Sequence, residues 1–255
     1  MADVVWWHSR RRVVICVATS VVLAAAIAVL VVANQDRAAG VVTWLLVLTL
    51  LMQLRPVFYA RLRRGREILR VGTVVLFFIP IVSIGVDDPP APIDSILLSL
   101  TFGVVAGVLL LGFHIFDLRV LLDREIIAMQ PRMSLAGALS RVAYVAVVIP
   151  LEELFYRRLL LAALLPIVGT VPAVLIAIAS FVYGDWSGSW GPNSRVKRLI
   201  AEACLAAATA LIYLATGSIW GAILAHAIYN SSQFILPIRN LLVHRRVPYV
   251  PEVTA

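Results

Sequence analysis

The chain has 255 residues, 62% hydrophobic and 14% charged, with 22 Lys and Arg against 14 Asp and Glu, for a formal net charge of +8. A mean hydropathy of +0.96 and repeated apolar runs exclude an ordinary soluble domain, which is about 45–50% apolar and about 25% charged. In a soluble chain this basic balance would suggest nucleic acid; here the positions of the Arg residues account for it, and no nucleic-acid partner is expected.

In chain order, Arg10, Arg11 and Arg12 precede an apolar run from Val13 to Ala33. The run is longer than the apolar region of a cleaved leader, and Asn34 to Arg37 offers no small-residue cleavage site, so it reads as a retained first span. Further spans are expected at about 38–54, 71–86, 93–116, 142–165, 171–186, 199–215 and 218–236, making about eight. Several are short for a core of about 30 Å at about 1.5 Å per residue, which leaves room for one re-entrant pair. Cys16 and Cys204 both sit in apolar stretches and form neither a ligand spacing nor a disulfide framework.

The basic residues orient these spans. Of the 22 Lys and Arg, all but Arg37, Arg157 and Arg158, 19 in number, fall in segments that lie on one side if the N-terminus is cytoplasmic, while Asp87, Asp88 and Asp94 fall on the other. The expected fold is therefore an all-α, polytopic transmembrane helical bundle with both termini cytoplasmic, in the cell membrane. No internal repeat or long linker divides it.

Ionisable groups near mid-bilayer cost roughly 2.5–3.5 kcal/mol each on insertion scales, so they are the informative positions. The fifth span holds Glu152, Glu153, Arg157 and Arg158 just after Pro150. Glu153 and Arg157, at i and i+4, share a face and can pair, while Glu152 lies about 100° around the helix. The eighth span carries His226 and Asn230 on one stripe, and Asp185 ends the sixth, four residues after Phe181. Counting about 1.5 Å per residue, Glu152 and His226 lie roughly 16 and 18 Å from the inner face, and Asn230 and Asp185 about 12 and 9 Å. All four can converge on one cavity. A partly desolvated carboxylate can act as general base, and an imidazole with an amide can stabilise an oxyanion, which together suit hydrolysis of a peptide bond. There is no Gly-x-Ser-x-Gly or His-Glu-x-x-His pattern.

Glu152-Glu153-Leu-Phe-Tyr-Arg157 resembles the Glu-Glu-x-x-x-Arg motif of the CPBP family, the type II CAAX prenyl endopeptidases and their bacterial relatives, which include bacteriocin-processing and immunity proteins. Thr216-Gly217-Ser218-Ile219-Trp220 through His226-Ala-Ile-Tyr-Asn230 is similar to the family's closing His-x-x-x-Asn motif and its approach. The likeness covers about residues 140 to 236. The family's middle motif, Phe-x-x-x-His, is met at Phe181 but has Asp185 where histidine is usual. The resemblance implies that this third position orients the attacking water or binds a divalent metal such as zinc, roles aspartate can fill through oxygen.

The sequence thus divides into N-terminal transmembrane helices and cytoplasmic loops over 1–140, a CPBP-like catalytic core over 141–236 and a cytoplasmic tail over 237–255. Its expected partners are the lipid bilayer and a peptide or membrane-protein substrate. Glu152 is the expected general base, Glu153 with Arg157 supplies orientation and charge balance, His226 and Asn230 hold the oxyanion, and Asp185 fills the altered third position. The alternative is a non-catalytic homologue that binds or scaffolds another membrane component, with the polar cluster kept for packing; a proton-coupled transporter is a third reading. His114, on the fourth span, is a further histidine able to approach the site.

Overall fold

The computed structural model describes residues 2–61, 65–85, 91–186 and 192–246; the side chains of 2–13, 52–61, 184–186 and 192–195, among others, lie outside the description. Among the described residues the regular elements are all helical. They are α1 (Ala2–Val32), α2 (Asp36–Arg61), α3 (Gly65–Ile84), α4 (Ile93–Leu111), α5 (Ile115–Leu122), α6 (Arg124–Ala128), α7 (Leu135–Glu153), α8 (Ala162–Val168), α9 (Thr170–Trp186), α10 (Pro192–Thr216), α11 (Trp220–Tyr229) and α12 (Ser231–Arg246). A 3-10 turn, Gly112–His114, joins α4 to α5, and a π-helical stretch, Leu154–Leu161, joins α7 to α8.

Three of these helical runs are long and apolar enough to cross a membrane: Ile93–His114, Leu135–Val168 and Val196–Thr216. Shorter apolar helices, Val17–Val32, Arg70–Ile84, Thr170–Tyr183 and Trp220–Tyr229, accompany them. Polarity is distributed as a membrane interior requires. Val32, Leu109 and Val171 stand outward, whereas Glu153, Arg157, Thr209, His226 and Asn240 are buried. Groups that water would solvate are gathered inside the bundle, and apolar side chains face the surroundings.

Two expected spans differ from their sequence reading. The fifth runs continuously for 34 residues, Leu135–Val168, because Pro150 and Pro166 each remove one backbone donor without ending the helix. The eighth is not continuous. Asn230, at φ −87° and ψ 15°, separates α11 from α12, and its side-chain Oδ1 accepts from Gln233 Nε2 at 2.9 Å. At the break the backbone bond tightens to three residues, Gln233 N donating to Asn230 O at 2.9 Å. The stretch between the fourth and fifth spans, expected as a loop, contains α5 and α6; Asp123 caps α6 by accepting from Glu125 N and Ile126 N.

An aromatic series threads the core. Phe77 meets Phe155 at 5.6 Å between ring centroids, Phe155 meets Tyr156 at 5.2 Å, Tyr156 meets Phe181 at 5.3 Å and Phe181 meets the His226 ring at 5.6 Å, all edge to face. On the other side of α11, Ser99, Gly103 and Gly107 of α4 form a small-residue stripe at intervals of four, which lets the two backbones approach closely. Ser99 Oγ donates to Ser218 O at 3.1 Å and accepts from Gly221 N at 2.8 Å. Thr216 Oγ1 accepts from Ser218 N at 3.2 Å, and Gly217, at φ +64°, supplies the left-handed turn that ends α10. The Thr216-Gly217-Ser218 approach thus fixes where α11 begins, and with it the depth of His226.

Candidate active site

Glu152 and Glu153 close α7, and Arg157 follows in the π-helical stretch. The wider π turn is a feature often found at functional sites. Arg157 and Glu153 are fully buried, and Arg157 Nε donates to Glu153 Oε2 at 3.1 Å, as the i, i+4 spacing predicts. The other oxygen, Glu153 Oε1, lies 2.7 Å from His226 Nδ1. One carboxylate therefore ties a guanidinium on one helix to an imidazole on another. An ionised Glu153 requires the ring proton to sit on Nδ1, which sends Nε2 outward.

What Nε2 meets is Glu152: its Oε2 is 3.9 Å from His226 Nε2, and the Glu152 side chain is 24% exposed where that of Glu153 is 0%. The separation is too long for a direct hydrogen bond and suits one bridged by water. The adjacent acids are thus in different situations. Glu153 is committed to buried cations, and Glu152 borders accessible space. Charge also balances if the ring is doubly protonated, with two carboxylates facing a guanidinium and an imidazolium.

Thr209 of α10 is a component that the sequence reading passed over. Its Oγ1 accepts from Arg157 Nη2 at 2.6 Å and Nε at 3.0 Å and lies 3.0 Å from the Leu205 carbonyl oxygen, to which it donates. Glu202, Leu205, Ala206, Thr209 and Ala210 form one buried stripe of α10 at helical spacing. A single threonine inside Ala206-Ala-Ala-Thr209-Ala210 was the available signal. Glu202 is buried on the same stripe. Tyr229 donates to its Oε1 at 3.4 Å, and Arg198 Nε lies 3.7 Å from the same oxygen. Replacing Thr209 with valine, nearly its shape without the oxygen, is expected to lower the melting midpoint in detergent by the equivalent of about 1–3 kcal/mol. Thr209→Ser should melt near wild type; equal melting of the valine and wild-type proteins would remove Thr209 from the network.

Of the expected site residues, Glu152, Glu153, Arg157 and His226 come together. Phe181 joins them, its ring 5.7 Å from Arg157 Cζ. Asn230 remains on the His226 stripe and bonds to it through the backbone, N to His226 O at 2.9 Å, but its side-chain oxygen is taken by Gln233. Asp185 lies one turn beyond Phe181 near the end of α9; its side chain is outside the described residues, so its expected role there is untouched by the geometry. His114 sets its ring edge to face with Tyr229 at 4.6 Å, one helical turn from His226. As for a metal, a catalytic zinc site takes three protein ligands; among the described residues no group of three His, Cys, Asp or Glu is arranged to hold an ion. Of Glu152 and His226, whose Oε2 and Nε2 face each other at 3.9 Å, Glu152 is 24% exposed and His226 is buried.

Residues 134–232, less than half of the chain, match the family model described as Rce1-like, type II CAAX prenyl endopeptidase Rce1-like. The match contains both complete motifs and bears out the resemblance read from them. Among curated proteins and solved structures nothing matches the chain.

Proposed function

We propose that the chain is an intramembrane endopeptidase of the CAAX-protease type that hydrolyses a peptide bond with water activated by Glu152. The observation that carries this reading is the division of labour between the paired acids, one buried and doubly engaged, the other partly exposed and 3.9 Å from His226 Nε2. The family match over 134–232 supports the same reaction class. Glu152 takes a proton from water as its oxygen adds to the substrate carbonyl carbon. Negative charge develops on the carbonyl oxygen, where the Nε2–H of a doubly protonated His226, its Nδ1–H held by Glu153, stabilises it with the Asn230 amide. Glu152 then returns the proton to the leaving nitrogen as the C–N bond breaks, releasing a carboxylic acid and an amine, between which the last proton passes to give carboxylate and ammonium. Arg157 and Glu153 hold the imidazole in place without touching substrate, and Asp185 occupies the position from which the water is oriented.

The catalytic core extends over 141–236, within a bundle of about eight spans whose termini both face the cytoplasm. The Arg-rich segments from Arg55 to Arg70 and from Arg119 to Arg141 support that orientation. In intact cells a Lys197→Cys variant lacking the native cysteines should resist an impermeant thiol reagent added outside; labelling there would reverse the bundle.

The test of function is cleavage of prenylated and unprenylated peptides by the purified protein. Glu152→Gln should fold and melt as wild type does while losing cleavage by at least about 100-fold, the scale of a lost general base. Undiminished cleavage by Glu152→Gln would sink the assignment. Inactive wild type that gains cleavage on Asp185→His would establish the non-catalytic alternative, in which Asp185 has disabled the third position.

A further inference from the structure

Away from the acids and His226, a cavity of about 450 Å³ is lined by Arg132, Met133, Ser134, Leu135, Leu241 and Arg245. Its volume is within the range of small-ligand sites. No acidic side chain is among the lining residues, yet two guanidinium groups from distant parts of the chain border it. The arrangement is built by Asn240, which is fully buried: its Oδ1 accepts from Met133 N at 2.8 Å, and its Nδ2 donates to Pro131 O at 3.2 Å. One amide thus clamps the backbone on both sides of Arg132 against α12, the helix that carries Arg245. At the same cavity α7 begins. Ser134 caps it, its Oγ accepting from Gly137 N at 3.1 Å, which leaves the hydroxyl proton and the N–H groups of Leu135 and Ala136 for an external acceptor.

Two like charges fixed around one cavity, next to a helix N-terminus and with no acid in the lining, are stabilised by an anion with several acceptor oxygens. A phosphate matches the planar donor fork of arginine. Met133, Leu135 and Leu241 give the cavity an apolar side, which free phosphate would not use and the glycerol and first methylenes of a phospholipid would. The cavity also lies at the basic end of the bundle, where Arg239 Nη2 donates to Leu122 O at 2.8 Å and where anionic lipid accumulates beside a membrane helix. We propose that this cavity is a binding site for a phosphate-bearing anion, held between Arg132 and Arg245 at the N-terminus of α7.

The purified full-length protein would be titrated with dioleoylphosphatidylglycerol in detergent micelles, with dioleoylphosphatidylcholine and with inorganic phosphate in parallel, following the melting midpoint and counting retained lipid by native mass spectrometry. Phosphatidylglycerol is expected to raise the midpoint and remain bound, and phosphatidylcholine to do neither. Arg132→Gln with Arg245→Gln should weaken phosphatidylglycerol binding about 30-fold, as two interfacial cations imply, whereas Arg124→Gln, at the same end but outside the lining, should not. A midpoint shift with inorganic phosphate alone, lost in the same double variant, would support the site and assign it to free phosphate. Because both arginines are exposed, the double variant should fold; if it does not, the single Arg245→Gln variant is read in the same way, with a weaker response expected. Equal responses of wild type and variant, or no response to either probe, would overturn the site. None of these readouts depends on peptide cleavage.

Discussion

Glu153→Leu is expected to destabilise the folded protein by about 3–5 kcal/mol, the scale for breaking a buried ion pair by removing one partner. The physical reason is the number of groups that the carboxylate satisfies at once. Without it, Arg157 loses the one charged acceptor of its Nε and keeps only the Thr209 hydroxyl, while its Nη1 is already buried with no hydrogen-bond partner among the described residues. His226 Nδ1 loses its 2.7 Å partner in the same step. Adding Arg157→Leu removes the stranded guanidinium and replaces it with apolar volume, so the double variant should recover much of the loss, because the two positions are coupled and not additive. His226 would still lack its anchor, and cleavage should therefore stay absent in the double variant although its melting midpoint rises. Single and double variants with the same midpoint in detergent would show that Arg157 is not stranded, and the buried pair would then be no more than incidental.

The pair was legible from sequence because helix geometry relates residues four apart whatever surrounds them, and a glutamate and an arginine inside an apolar run have few other ways to be accommodated. His226 was legible for the same reason of cost. Its direct bond to Glu153 was not: it depends on where α11 is held relative to α7, a tertiary fact set by the Ser99, Ser218 and Gly221 contacts. The sequence reading gave orientation to the Glu153–Arg157 pair and oxyanion contact to His226, and the geometry joins these groups into one chain from Thr209 to Glu152. Thr209 escaped notice because threonine is common in membrane helices and only its neighbour's charge makes it special. The break at Asn230 escaped because a run of apolar residues on both sides reads as one span, and a single residue leaving helical dihedrals, without any proline or glycine, carries no periodic signal. The Phe181 position was legible as a motif. Its physical use, an aromatic wall for both Arg157 and His226, comes from packing that no spacing rule encodes.

Two glycine-to-alanine changes, both within helices, should have opposite signs. Gly72→Ala in α3 adds a methyl where no atom lies within 4 Å, and it should raise stability by about 0.5–1 kcal/mol through helix propensity. Gly221→Ala in α11 adds the same methyl directly onto the Ser99 backbone carbonyl and its Oγ. These are mostly backbone atoms of a packed helix, so no rotamer change can make room, and α4 and α11 must separate. Separation breaks the bonds from Ser99 Oγ to Ser218 O and from Gly221 N to Ser99 Oγ. The loss should reach or exceed the upper end of the 1–3 kcal/mol typical of overpacking. It should also reach the site, because His226 lies five residues further along the same helix and its 2.7 Å contact with Glu153 tolerates little displacement. Gly221→Ala is therefore expected to melt well below wild type and, in whatever fraction remains folded, to lose cleavage together with Glu152→Gln. Gly107→Ala gives a graded case, since the atoms nearest its added methyl include the Ile228 side chain as well as the Ala225 carbonyl oxygen. The nearest of these, Ile228 Cβ at 2.8 Å, does not move on side-chain rotation, but the overlap is shallower than at Gly221, so the loss should be smaller. The order of midpoints in detergent should be Gly72→Ala above wild type, then Gly107→Ala, then Gly221→Ala. If Gly221→Ala melts with Gly72→Ala, the close approach of α4 and α11 is wrong, and the depth at which His226 is held must be set by some other contact.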